Sequence, residues 1–109
     1  MAKNYVSEGD VLDYTAGATA VASGSVVVLG KRIGIALGDI APLSTGSVAV
    51  TGVWTVPKLS TDDVGQGELL YWDAVNARLT ETPGALPLAG YAAAPAAAGA
   101  PAVRIKINA

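Results

Sequence analysis

Ser47–Lys58, SVAVTGVWTVPK, decides how this chain is read. Val48, Val50, Val53, Trp54 and Val56 are residue types that suit a pleated, half-buried surface. Gly52 interrupts the run. Pro57 stops it, because proline cannot donate to a sheet ladder. The stretch reads as two halves of one strand, bent at Gly52, with Trp54 turned inward and Lys58 left outside. The other tryptophan, Trp72, lies in a similar run, LLYWD, at 69–73. Aromatic rings of this size dominate small cores and interfaces. The expectation is a small β-domain whose core forms where the two segments meet, with Trp54, Tyr71 and Trp72 as core or interface anchors.

Outward toward the N-terminus, GDIAPLSTGS at 38–47 is a loop. RIGIAL at 32–37 is a strand with Ile33, Ile35 and Leu37 on one face, and Gly34 marks a bulge or the close approach of another backbone. It pairs as a hairpin, through Gly30-Lys31, with SVVVL at 25–29, a continuous apolar run expected to be buried on both faces. Residues 16–24 form a small-residue loop, and VLDYT at 11–15 alternates as a strand with one buried face. Residues 1–8 are polar and read as an arm, a first short strand or a frayed terminus.

Toward the C-terminus, LSTDDVGQGE at 59–68 is an acidic turn in which Ser60 or Thr61 caps at most one short helical turn. After 69–73 the chain returns through 74–80, with Asn76 as the left-handed turn residue. LPLAGYAAA at 86–94 is a strand around Leu88 and Tyr91. AVRIKIN at 102–108 alternates Val103, Ile105 and Ile107 against Arg104 and Lys106. About seven to eight short strands with no long helical pattern make an all-β barrel or sandwich, with residues 9–109 as a single β-domain.

Composition narrows the function. The chain has 109 residues, of which 51% are hydrophobic but only 6% aromatic, and no Phe. Its core is light, so burial between subunits would add to it. Net charge is −2 and the basic residues are scattered, which leaves no electrostatic footprint for nucleic acid. The absence of His and Cys removes the commonest general base, the commonest metal ligand and any disulfide. The opening MAKNYVSEGD lacks the apolar core of a secretory signal. Pro87, Pro95 and Pro101 break the apolar stretch 85–103, so no membrane span is expected.

No motif supplies chemistry. GSVVVLGKR at 24–32 has five residues between its glycines and Arg32 after the lysine, whereas a phosphate loop needs four and a hydroxyl residue. Gly65-Gln66-Gly67 has Leu70 where a dinucleotide fingerprint needs glycine. Asp62, Asp63 and Glu68 match no calcium-loop spacing, and Asp10 and Asp13 read as surface charge. Without a base, the serines and threonines are not nucleophiles. The sequence therefore assigns no catalytic residue, metal ligand or cofactor. Trp54, Tyr71 and Trp72 admit one other reading, a sugar-stacking platform, which requires an exposed coplanar Trp54–Trp72 pair.

The order of segments resembles a family of small phage and prophage capsid decoration, or cement, proteins. The resemblance covers residues 9–108. It is carried by the glycine-then-valine hairpin at 24–37, TGVWTVPK at 51–58 and GELLYWD at 67–73. Members are often labelled as RecA/RadA-type recombinases. A RecA-like core needs a Walker loop, a parallel sheet and about twice this length, and this sequence offers none of them. The resemblance implies a non-catalytic virion protein that binds the major capsid protein on the outer surface of an icosahedral head, at capsomer junctions. It implies a homo-oligomer, commonly a trimer and in some cement proteins a dimer, present in host cytoplasm during assembly, with no nucleic-acid or membrane partner. The arm, including Ala2, Lys3, Asn4, Tyr5 and Val6, is expected to contact the capsid by adding a strand to one of its sheets. The alternative is a β-barrel module on the particle that binds carbohydrate or a host surface.

Overall fold

A computed structural model describes Lys3, Asn4 and residues 6–109. Met1, Ala2 and Tyr5 lie outside the described residues, so the Ala2 and Tyr5 part of the expected arm does too. The described chain is all-β. It has nine strands: β1 (Val11–Thr15), β2 (Val26–Leu29), β3 (Arg32–Ala36), β4 (Thr45–Ala49), β5 (Val53–Pro57), β6 (Leu69–Asp73), β7 (Arg78–Thr80), β8 (Leu88–Ala92) and β9 (Ala102–Ile107). They form two antiparallel sheets, ordered β1-β4-β3-β2 and β5-β9-β8-β6-β7. The sheets do not close into a barrel; the arrangement is sandwich-like. No helix occurs among the described residues, and the acidic segment makes a plain turn at Ser60–Thr61.

Residues 47–58 are two strands rather than one bent strand. β4 belongs to the first sheet and β5 to the second, and Val50–Gly52 carries the chain across. Gly52 has φ +100°, a backbone state that side chains disfavour. A mid-strand glycine signals a departure from regular pleating, and the same residue serves a bend within a sheet or an exit from it. Here β5 finds its partner in β9 (Trp54 opposite Ile105), so the departure is an exit.

The larger core joins the sheets. Ile33 and Ile35 of β3 pack with Val56, Leu70, Trp72, Leu79, Val103, Ile105 and Ile107 of the second sheet. Strand alternation sends Gly34 and Ala36 to the opposite face. There Val27, Ala36 and Val48 form a smaller cluster with Ala16 and Ile40 from flanking loops. Gly34 is small because a Cβ there would lie 3.0 Å from Val48 Cγ2. In β9 the expected alternation holds: Val103, Ile105 and Ile107 are buried, and Arg104 and Lys106 are exposed.

Asn108 secures the junction. The β3–β4 pairing runs only through Ile35–Ala49 and Ala36–Val48, because the chain beyond Ala49 leaves for the second sheet. That departure exposes the backbone of Ile33 on its β4 side. The Asn108 side chain takes the vacated place. Its Oδ1 accepts from Ile33 N–H (3.1 Å), and its Nδ2 donates to Ile33 O (2.7 Å) and Val50 O (2.9 Å). Its own N–H donates to Ala89 O (2.7 Å). Asn108 has φ +58°, a conformation asparagine tolerates better than most residues.

Several local expectations are corrected. β1 does not bury one face; only Tyr14 is half-buried, because β1 is an edge strand. β2 is not buried on both faces, since it is the opposite edge and Val28 is 38% exposed. Leu37 lies beyond the end of β3 and is exposed. In the β6–β7 turn the left-handed residue is Ala77 (φ +52°), not Asn76. Asn76 instead donates its side-chain amide to Asp73 Oδ2 at 2.8 Å, which fixes the turn one residue earlier.

Candidate functional site

The three aromatic anchors share the second sheet but not one environment. Trp72 is buried at 6% exposure in the larger core, between neighbouring strands β7 and β8. Tyr71, next to it on β6, faces the other way and is half-buried. Trp54 is half-buried at the margin of the core, over Gly52, and its Nε1 donates to Thr51 O at 2.9 Å. With Trp72 inside, the two indoles do not make the exposed pair that a sugar platform requires.

The acidic turn is organised by Lys58. This residue is 4% exposed, so it does not lie outside as its sequence position suggests. Proline at 57 ends β5 but leaves the chain running inward, where Lys58 forms a bridge to Leu79. Its ammonium donates to Asp62 O (2.7 Å) and Leu59 O (3.2 Å), which satisfies a buried charge with carbonyl oxygens. Asp62 then accepts from Thr80 Oγ1 (3.2 Å) and Glu81 N–H (3.0 Å). Beside it Glu81 and Glu68 share a hydrogen bond. That bond, burial and the negative charges of Glu68, Asp62 and Asp63 push the Glu81 carboxyl up to about 7. Among the described residues no group of three or more acidic side chains is placed to hold a metal ion.

Two surface features remain. One is a cleft of about 750 Å³ between β2 and β5, an edge strand from each sheet, with Val56 and Trp72 in its wall. Among the described residues no charged side chain lines it. The other is a set of exposed apolar side chains, led by Val75 (93%), Val6 (92%) and Leu43 (78%). Of the proposed arm, Lys3, Asn4 and Val6 are exposed.

Sequence reasoning missed Lys58 and Asn108 as structural centres. A lysine directly after a strand-ending proline carries no burial signal. An asparagine after an alternating strand is a turn signal, and its distant partners are not encoded locally.

A family described as phage cement protein matches residues 6–107 of this chain. No curated protein and no solved structure matches it.

Proposed function

The chain belongs to the phage cement protein family, and from that membership we propose that it binds the outer surface of the major capsid protein shell at capsomer junctions and stabilises the head. The observation that carries this reading is the extent of the match, residues 6–107, which takes in both sheets and the crossing between them. Stabilisation of this kind needs no reaction. Weak contacts repeated at every junction add through multivalency and oppose the pressure of packaged DNA. A homo-oligomer at each junction, a trimer in the leading version, holds several shell subunits together. The exposed apolar residues Val6, Leu43 and Val75 belong to three separate segments outside the strands and suit several modest contacts. The segment Ala2–Glu8 adds a strand to a shell sheet.

The test uses expanded heads that lack this protein. Added protein is expected to co-sediment with them at a fixed ratio to the shell subunit and to raise the temperature at which DNA escapes. Deleting residues 2–8 is expected to abolish co-sedimentation and leave the thermal melt of the free protein unchanged. Intact protein that stays in the supernatant, or heads that release DNA at an unchanged temperature, would overturn the proposal.

A further inference from the structure

We propose that the cleft between β2 and β5 receives an extended, uncharged segment of the shell protein as an added strand. The inference rests on the cement reading and reverses its direction: here this chain accepts a strand.

The backbone argument comes from the pairing pattern. In an antiparallel ladder, residues alternate between pairs that bond each other and pairs whose N–H and C=O point away. On β2, Ala36 N–H donates to Ser25 O (2.9 Å), so Val26 and Val28 turn their backbone groups outward, away from β3. On β5, Lys58 N–H donates to Pro101 O (3.0 Å) and Ile107 N–H to Gly52 O (3.1 Å). Val53 and Thr55 therefore turn theirs away from β9. Val26, Val28 and Thr55 all line the cleft. Among the described residues it thus has an open strand edge on each side, the template that strand addition uses.

The lining specifies the occupant's chemistry. The chain is 15% charged, yet among the described residues no Asp, Glu, Lys or Arg lines the cleft. A charged side chain placed there would lose hydration without gaining a partner. The lining is uncharged but mixed: Val56 and Trp72 are apolar, Ala18 and Ala20 are small, and Thr19, Ser25 and Thr55 carry hydroxyls. An extended segment of small, uncharged residues fits these surfaces. The N-terminal segment of a second copy does not, because it carries Lys3, Glu8 and Asp10. The uncharged 93–101 loop is also unsuited, since Ala93, Ala96, Gly99 and Ala100 already use their N–H groups within the chain.

The absence of native cysteine makes the test direct. In a Thr55→Cys variant, maleimide labelling is expected to be fast in the free protein and at least tenfold slower on decorated heads. A short cross-linker from that cysteine is expected to capture a shell peptide without charged residues. A Thr55→Lys variant with an unchanged melt is expected to bind heads at least tenfold more weakly. Equal labelling on and off heads, with binding intact, overturns this inference and leaves the cement reading standing. Protection already present in the free protein shows that a second copy fills the cleft and also overturns it. If the unmodified chain does not bind heads, both readings fail together.

Discussion

Single residues set the tightest limits in this fold. Gly90 has φ +152°, and a Cβ built there collides with the carbonyl oxygen of Lys106 on the neighbouring strand. It follows a bulge at which Leu70 faces Gly90 while Tyr71 faces Leu88, leaving Ala89 extra and buried. Gly90→Ala must push β8 off β9, and chemical denaturation is expected to show a loss of about 3 kcal/mol or more. The tryptophans divide by environment. Trp72→Ala is expected to cost about 3–5 kcal/mol. Trp54→Ala, from a half-buried position, is expected to cost about 1–2 kcal/mol. Equal losses at the two sites would contradict the burial described above. The sequence identified both rings as anchors because large aromatics are scarce in it. It could not rank them, because flanking valines show that a strand is half-buried without showing how far a ring lies from the sheet margin.

At the scale of elements, the Asn108 contact and the Glu68–Glu81 pair make separate predictions. Asn108→Gly keeps the left-handed backbone accessible and removes three side-chain hydrogen bonds, two of them to the buried Ile33. The expected loss is about 2–4 kcal/mol, read from denaturant melts. A loss below about 0.5 kcal/mol would mean that water replaces the side chain without penalty. For the carboxyl pair, Glu81 holds its proton in the folded chain up to about pH 7, against an ordinary value of 4.5. A raised acid stabilises the fold fully below its ordinary value and loses that contribution as pH climbs through 7. Asp73 shifts the opposite way, held down first by the Asn76 side chain, and its effect falls below pH 3.8, outside this window. The melting temperature of the native chain relative to Glu81→Gln is therefore expected to fall between pH 5 and pH 8. A flat difference would refute the shared proton. Strand positions were largely legible, as β9 shows, because alternation and glycine breaks are local signals. Sheet membership was not. Periodicity tells a residue its face but not its neighbour, so β4 and β5 read as one strand.

For the whole molecule, the family was legible from the order of its segments, whereas the cleft was not. The cleft arises from two edge strands separated in sequence by the entire first sheet crossing, and no local pattern records their proximity. The same layout gives the sheets sequential origins: β1–β4 occupy residues 11–49 and β5–β9 residues 53–107. During synthesis the first sheet can form while most of the second is still unmade. Its open point is Ile33, whose side-chain partner is Asn108, a separation of 75 residues. Until Asn108 emerges, the Ile33 backbone on that side lacks its side-chain partner, although Val56, Leu70 and Leu79 of the core it enters are already made. Closing the Ile33 seam thus depends on the residue that follows β9, and so on synthesis of the whole second sheet. Premature termination within β9 would therefore leave more than an unlatched seam: it would strip β5 and β8 of the strand between them and take part of the core from Ile33 and Ile35.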